Sequence, residues 1–208
     1  GMASATMNMA AIAANITANK KAENEMNSLA FYDPLTDLPN RRLLNDRLSQ
    51  TLATSKRSGR YGALMFIDLD NFKPLNDTYG HGVGDQLLIE VARRITSCVR
   101  EVDSVARFGG DEFVVMLGEL DIDEAGSVEQ AGIIAEKIRI TLAEPYLLKI
   151  QQEGKAGMAI DHHCSASIGI VVFNGETSQD DIIRWADMAM YQAKDAGRNL
   201  IRFFAARH

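Results

Sequence analysis

The chain is short of cysteine, of positive charge and of long apolar stretches, and each shortage removes a class of protein. Only Cys98 and Cys164 occur among 208 residues. Both sit in apolar surroundings without metal-ligand spacing, so the sequence predicts two buried, reduced thiols and no disulfide framework. Nowhere do about 18 apolar residues run together, which leaves no candidate transmembrane helix. Lysine and arginine number 22 against 28 aspartates and glutamates, for a net charge of −6. A nucleic-acid backbone requires the opposite balance, so no nucleic-acid partner is expected. A small nucleotide held by a few local cations and a metal ion stays compatible with that balance. A cytoplasmic location is expected for this domain, whether or not a longer parent protein is attached to a membrane.

What is present is core material. Apolar residues make up 46% of the chain and charged residues 24%, which suits one globular domain plus an extra segment. Gly1-Met2 reads as a cloning remnant. Residues 1–32 are expected to form a helical linker: from residue 3 onward they lack glycine and proline, and Ile12, Ile16, Met26 and Leu29 draw a thin helical stripe. Asp33-Pro34 and Leu38-Pro39-Asn40 break that helix, and a compact pattern fills 33–208. A helix begins near Asn40 and carries Leu44, Leu48 and Leu52. Ala63–Ile67 reads as a buried strand ending at Asp68. Leu87, Leu88, Val91, Ile95 and Val99 recur at helical spacing, as do Val128, Ala131, Ile134, Ala135, Ile138 and Leu142. Residues 104–108 and 113–117 read as a hairpin around the paired glycines. A strand over 165–173, a helix over 180–193 and a last strand over 199–204 complete an α+β domain with a central, largely antiparallel sheet. Trp185, Met188 and Met190 are expected mostly in the core.

Two clusters carry chemistry. In Phe66-Ile67-Asp68-Leu69-Asp70-Asn71-Phe72-Lys73 a carboxylate ends a buried strand and faces a loop, a placement that suits a hard cation or, more plainly, a capped turn. In Arg107-Phe108-Gly109-Gly110-Asp111-Glu112-Phe113 two glycines permit a tight turn with positive φ. The two acids that follow need solvent, a cation or a metal, unless the turn is an ordinary polar hairpin tip. Asp68 and Asp111 would share a metal if their strands were neighbours.

Gly109-Gly110-Asp111-Glu112-Phe113 resembles the signature of GGDEF domains, the diguanylate cyclase family. Other segments are similar in register: Asp33-Pro34-Leu35-Thr36-Asp37-Leu38-Pro39-Asn40-Arg41, with Asp37 where glycine is common; Asn76-Asp77, Gly80-His81 and Gly84-Asp85; Ser167-Ile168-Gly169; and Tyr191 through Asn199. The resemblance implies a palm-like sheet of about five strands flanked by helices. It also implies condensation of two GTP into cyclic di-GMP, with Mg²⁺ or Mn²⁺, in a homodimer whose input comes from an upstream sensor. Asp68, Asp111 and the Leu69 carbonyl are implied metal ligands, with Glu112 beside them. Asp111 is the implied general base, and Lys73 steadies the reacting phosphates. Lys194 and Arg198 bind phosphate. Asn76 and a buried Asp85 read guanine, whose adjacent N1–H and N2–H donors suit a carboxylate that adenine would not. His81 lies beside the nucleotide or makes a structural loop hydrogen bond. Arg100 and Asp103 are implied as an inhibitory product site, Arg binding phosphate and Asp accepting from guanine. The alternative is a catalytically inactive receptor for GTP or cyclic di-GMP, which usually shows altered hairpin acids; here they are intact.

Overall fold

The computed structural model describes residues 2–150, 154 and 157–205; the ends of the expected segments at Gly1 and at 206–208 lie outside them. Helix α1 (Met2–Phe31) has no buried residue, and it ends at the Asp33-Pro34 break. Helix α2 (Arg41–Ser58) starts where Asn40 accepts from the Leu43 N–H at 3.1 Å and stops at the left-handed Gly59. Strand β1 (Gly62–Leu69) is buried at every residue, as a near-continuous apolar run covered on both faces should be. It continues one residue past the expected end at Asp68.

Helices α3 (Phe72–Tyr79) and α4 (His81–Cys98) follow. Helix α3 was not anticipated: it has eight residues, holds Pro74 in its first turn and buries only Leu75, so it lacks the apolar period that reveals a helix. Strands β2 (Ser104–Gly109) and β3 (Glu112–Leu117) form the expected hairpin. Helix α5 (Glu124–Ala143) leads to a small hairpin, β4 (Tyr146–Lys149) with β5 (Ala159–His162), that the sequence reading also missed. Its strands have four residues each, and Leu147 points outward, 72% exposed. Strand β6 (Ala166–Phe173), helix α6 (Gln179–Asp195) and strand β7 (Ile201–Phe203) close the chain.

The main sheet has the order β2-β3-β1-β6-β7 and is antiparallel except for the parallel β6–β7 pair. Alternation along β1 divides the core. Ala63, Met65, Ile67 and Leu69 pack beneath α4 and α5 with Leu87, Ile95 and Ile138. Leu64 and Phe66 face α2 and α6, against Leu44, Leu48, Ile182 and Met190. By the same period Asp68 falls on the α6 side. Met190 is buried, whereas Met188 is 46% exposed, because the two stand on different faces of α6. Cys98 is buried and Cys164 partly buried, both as free thiols. No helix among the described residues is long and apolar enough to cross a membrane.

Helix α6 lies unusually close to the sheet at Gly169. A methyl group there would sit 2.1 Å from the Met190 nitrogen and 2.3 Å from the Ala186 carbonyl oxygen. Both obstacles are backbone and cannot rotate aside. Gly169→Ala is therefore expected to destabilise the domain by about 3 kcal/mol, or roughly 6–12 °C in thermal midpoint, with the fold retained. Circular dichroism melting checks this; a shift below about 2 °C would mean that α6 moves off β6 freely.

Candidate active site

The β1–β3 register pairs Asp68 with Glu112, and the Leu69 N–H donates to the Asp111 carbonyl at 3.4 Å. The two strand ends are thus neighbours, and Asp68 and Asp111 meet there. Gly109 and Gly110 make the turn with φ of 134° and 50°, the positive values that bring Asp111 back toward β1. Asp68 is 6% exposed. Its Oδ2 accepts from the Lys194 ammonium of α6, while its Oδ1 is buried without a hydrogen-bond partner.

The electrostatics follow from crowding. Burial, then the hydrogen bond and charge of Asp68, push the Asp111 carboxyl up to about 7. Burial and Asp68 also raise Glu112, and burial raises Asp187 of α6. Burial works against the charge on Lys194, but Asp68 and Asp111 outweigh it and raise its proton affinity. Two side-by-side carboxylates with an unpartnered buried oxygen are a donor set that fits a hard divalent cation. Among the described residues no three His, Cys, Asp or Glu side chains form a closed cage. The two carboxylates themselves match the usual protein contribution to Mg²⁺, one or two carboxylates with further oxygens from substrate.

The remaining expected residues divide between enclosed and open positions. The Oδ1 of Asn76 is buried without a partner. It lies against α4 at Gly84, where a methyl group would come within 1.8 Å of it, so Asn76 and Asp85 belong to one corner. Asp85 itself is exposed, not buried as expected, because it sits on the outward side of the first turn of α4. Lys73, His81 and Arg198 are exposed as well.

At the far end of β2, about 20 Å from the acids for a six-residue strand, Arg100 and Asp103 form an ion pair of 3.0 Å. Asp103 has no exposed side-chain surface. Its oxygens accept from the Arg100 backbone N–H, Nε and Nη2 and from the Gly118 N–H. It holds the half-exposed guanidinium in place and has no free face for a guanine.

The sequence reading did not foresee the strap between the first turn and the hairpin. Arg107 donates to Asp33 at 2.8 Å and, through Nε and Nη2, to the Gly110 carbonyl at 3.0 and 2.9 Å. Asp33 also accepts from Thr36, and the Arg107 N–H donates to Pro39. Asp37 has a φ of 58°: the position needs a left-handed residue, which aspartate tolerates better than most. An Asp-Pro turn far upstream and an arginine beside paired glycines were the available signals, though nothing in their spacing joins them.

A palm-like sheet with acids at the ends of adjoining central strands, and a cation-bearing helix end above them, defines the nucleotide-cyclase class of fold. A family model described as "Diguanylate cyclase, GGDEF domain" matches residues 30–200, and the chain belongs to that family. It is 43% identical over 189 residues to MucR of Pseudomonas aeruginosa, a bifunctional diguanylate cyclase/cyclic di-GMP phosphodiesterase, covering 90% of this chain and 25% of MucR. It is 37% identical over 174 residues to the diguanylate cyclase DosC of Escherichia coli, covering 84% of this chain and 35% of DosC. The chain thus spans well under half the length of these relatives. The coiled coil and GGDEF domain of DgcB from Caulobacter crescentus, solved with c-di-GMP, superimposes with a TM-score of 0.78 at 26% identity, covering 94% of this chain and 97% of that one.

The raised Asp111 carboxyl has a consequence for metal-free protein. Between pH 4 and 7 the folded chain keeps a proton on Asp111 that the unfolded chain has released. Stability from this group therefore falls as pH rises through that window and levels off above about 7. Asp111→Asn carries no such charge. In the presence of a chelator, the variant is expected to gain on the wild type in thermal midpoint from about pH 5 to about pH 8. A difference that does not change with pH would show that Asp111 titrates as an ordinary carboxyl.

Proposed function

We propose that this domain condenses two GTP molecules into cyclic di-GMP with release of pyrophosphate. The observation that carries the reading is the pairing of Asp68 and Asp111 at adjoining strand ends, with Lys194 beside them and one Asp68 oxygen buried without a partner. In this reading each domain holds one GTP. Asn76 and Asp85 take the guanine edge, Asp85 from an exposed position that closes on the base, and His81 stands beside the nucleotide. Lys73, Lys194 and Arg198 take the phosphates. A Mg²⁺ or Mn²⁺ ion held by Asp68, Asp111 and the Leu69 carbonyl, next to Glu112, supplies Lewis-acid charge at the phosphates.

The 3′-hydroxyl of one GTP gives its proton to Asp111 and attacks the α-phosphorus of the other. The new O–P bond replaces the bond to the bridging oxygen, and pyrophosphate leaves. A second attack closes the ring. One domain offers one half-site, so two copies must face each other, and proximity is the regulated quantity. Helix α1 supports that arrangement: Met9, Ile12, Ile16 and Met26 are exposed along it and suit pairing with the same helix of a second copy. The DgcB fragment was solved with a coiled coil. We read residues 1–32 as the linker that carries input from an upstream sensor, and 33–208 as the catalytic domain in the cytoplasm.

Arg100 supports feedback. Its guanidinium is half exposed; Nε and both Nη2 protons are taken by Asp103 and the Gly118 carbonyl, which leaves Nη1 to donate to a phosphate of the product. Asp103 acts through Arg100.

Mass spectrometry after incubation with GTP and Mg²⁺ is expected to show cyclic di-GMP. Asp111→Asn should lower turnover by about 10²–10⁴ while the fold is kept. Near wild-type turnover in that variant would remove Asp111 from the reaction. In progress curves with added cyclic di-GMP, wild type is expected to slow and Arg100→Ala to continue, from similar initial rates. Equal inhibition of both would place the feedback site elsewhere.

A further inference from the structure

Asp70 stands two residues beyond Asp68 and takes no part in the chemistry above, yet it is one of the most enclosed polar groups in the protein, 2% exposed. Its oxygens are fully engaged by the chain. Ser167 Oγ donates to Oδ1 at 2.7 Å, Ser165 Oγ to Oδ2 at 2.6 Å, and the Asn199 backbone N–H to the same Oδ2 at 3.0 Å. Its own N–H donates to the Ser165 carbonyl at 2.8 Å. A buried carboxylate is costly unless it is well bonded. Here three protein donors hold its oxygens, and the question is what the carboxylate holds in turn.

It holds a strained turn. Gly197, Arg198 and Asn199 have successive φ values of 122°, 63° and 49°. Left-handed conformations at non-glycine residues cost on the order of 1 kcal/mol or more each and persist only where the surroundings impose them. On the helix side, the turn is tied by the Gly197 N–H to Lys194 and the Arg198 N–H to Ala193. On the sheet side the Asn199 N–H goes to Asp70, and the Asn199 side-chain oxygen accepts from Arg139 at 2.8 Å. Asp70 is itself fixed to the start of β6 by the two serines. The turn that carries Arg198 is therefore anchored to the same strand end that carries Asp68.

We infer that Asp70 is a positioning residue for the nucleotide phosphates: its carboxylate, clamped by Ser165 and Ser167, holds the Gly197–Asn199 turn in its left-handed form and so sets where Arg198 stands relative to Asp68. The inference rests on the reading of Arg198 as a triphosphate ligand, and it assigns the second aspartate of the β1 end a task separate from that of the first.

The test is binding of 3′-deoxy-GTP, which lacks the attacking hydroxyl, measured by calorimetry with Mg²⁺ alongside thermal midpoints. Arg198→Ala and Asp70→Ala are each expected to weaken binding by about tenfold. The double variant should bind no more than about twofold more weakly than Arg198→Ala alone, because the two residues act on one contact. Asp70→Asn keeps an acceptor for the Asn199 N–H and the Ser165 hydroxyl, and the Ser167 hydroxyl can turn to accept from its amide, so it should restore binding to within about threefold of wild type. If Asp70→Ala melts below the assay temperature, Ser165→Ala combined with Ser167→Ala takes its place, with the same expected coupling to Arg198. Wild-type affinity in Asp70→Ala beside a weakened Arg198→Ala would overturn the inference, as would losses that add in the double variant. Unchanged binding in Arg198→Ala would instead overturn the phosphate reading on which it rests.

Discussion

Two carboxylates held side by side where water is scarce repel each other, and the geometry of this domain is organised around keeping them there. Asp68 and Asp111 are brought together by the β1–β3 register, and once both are ionised their own interaction opposes it. The opposition is met from outside the pair. Lys194 places a cation on Asp68 from α6. Arg107 grips the Gly110 carbonyl, fixing the residue before Asp111. The apolar packing on both faces of β1 prevents the strand end from drifting apart. A site assembled against its own electrostatics in this way has a standing demand for positive charge, which the divalent ion of the proposed reaction would answer.

The core and the acids were legible in the sequence because both follow periodicities that survive without tertiary information. The run Ala63–Ile67 announces a strand covered on both sides, and the two-residue period then decides which face Asp68 takes. Paired glycines before paired acids mark a turn whose conformation few other residues allow. What escaped was set by contacts between distant segments. Helix α3 is too short, and buries too little, to leave a pattern. The β4–β5 hairpin gains its order from α4, where Gln86 bonds the Lys149 backbone. The Asp33–Arg107 strap joins residues 74 positions apart, and the exposure of Asp85 depends on which side of α4 meets α3. The roles of individual residues came from family resemblance rather than from spacing, and the geometry adds that the Asp103 oxygens are engaged by Arg100 and Gly118.

In the proposed reading, the two ends of the nucleotide meet unequal surroundings. The phosphate end is bordered by α6, whose carboxy-terminal segment is tied down by Asp68 and Asp70. The base end is bordered by the short helix α3 and the first turn of α4, where Asn76 is enclosed but Lys73, His81 and Asp85 stand in solvent. On that reading the α6 side is the more firmly tied, through Lys194 and the Asn199 backbone, while Lys73 and Arg198 themselves still stand in solvent.

Gly169 shows how the rigid half is achieved. With backbone against backbone at that point, α6 is keyed onto β6 like a tongue in a slot, and the flanking Ile168 and Ile170, buried toward the opposite face, leave the slot open on one side only. Sliding the helix by one turn would displace its end by about 5.4 Å, far enough to carry Lys194 away from Asp68, and it would require lifting the whole helix clear first. A single missing side chain on a strand thus fixes the reach of a charge more than twenty residues further along.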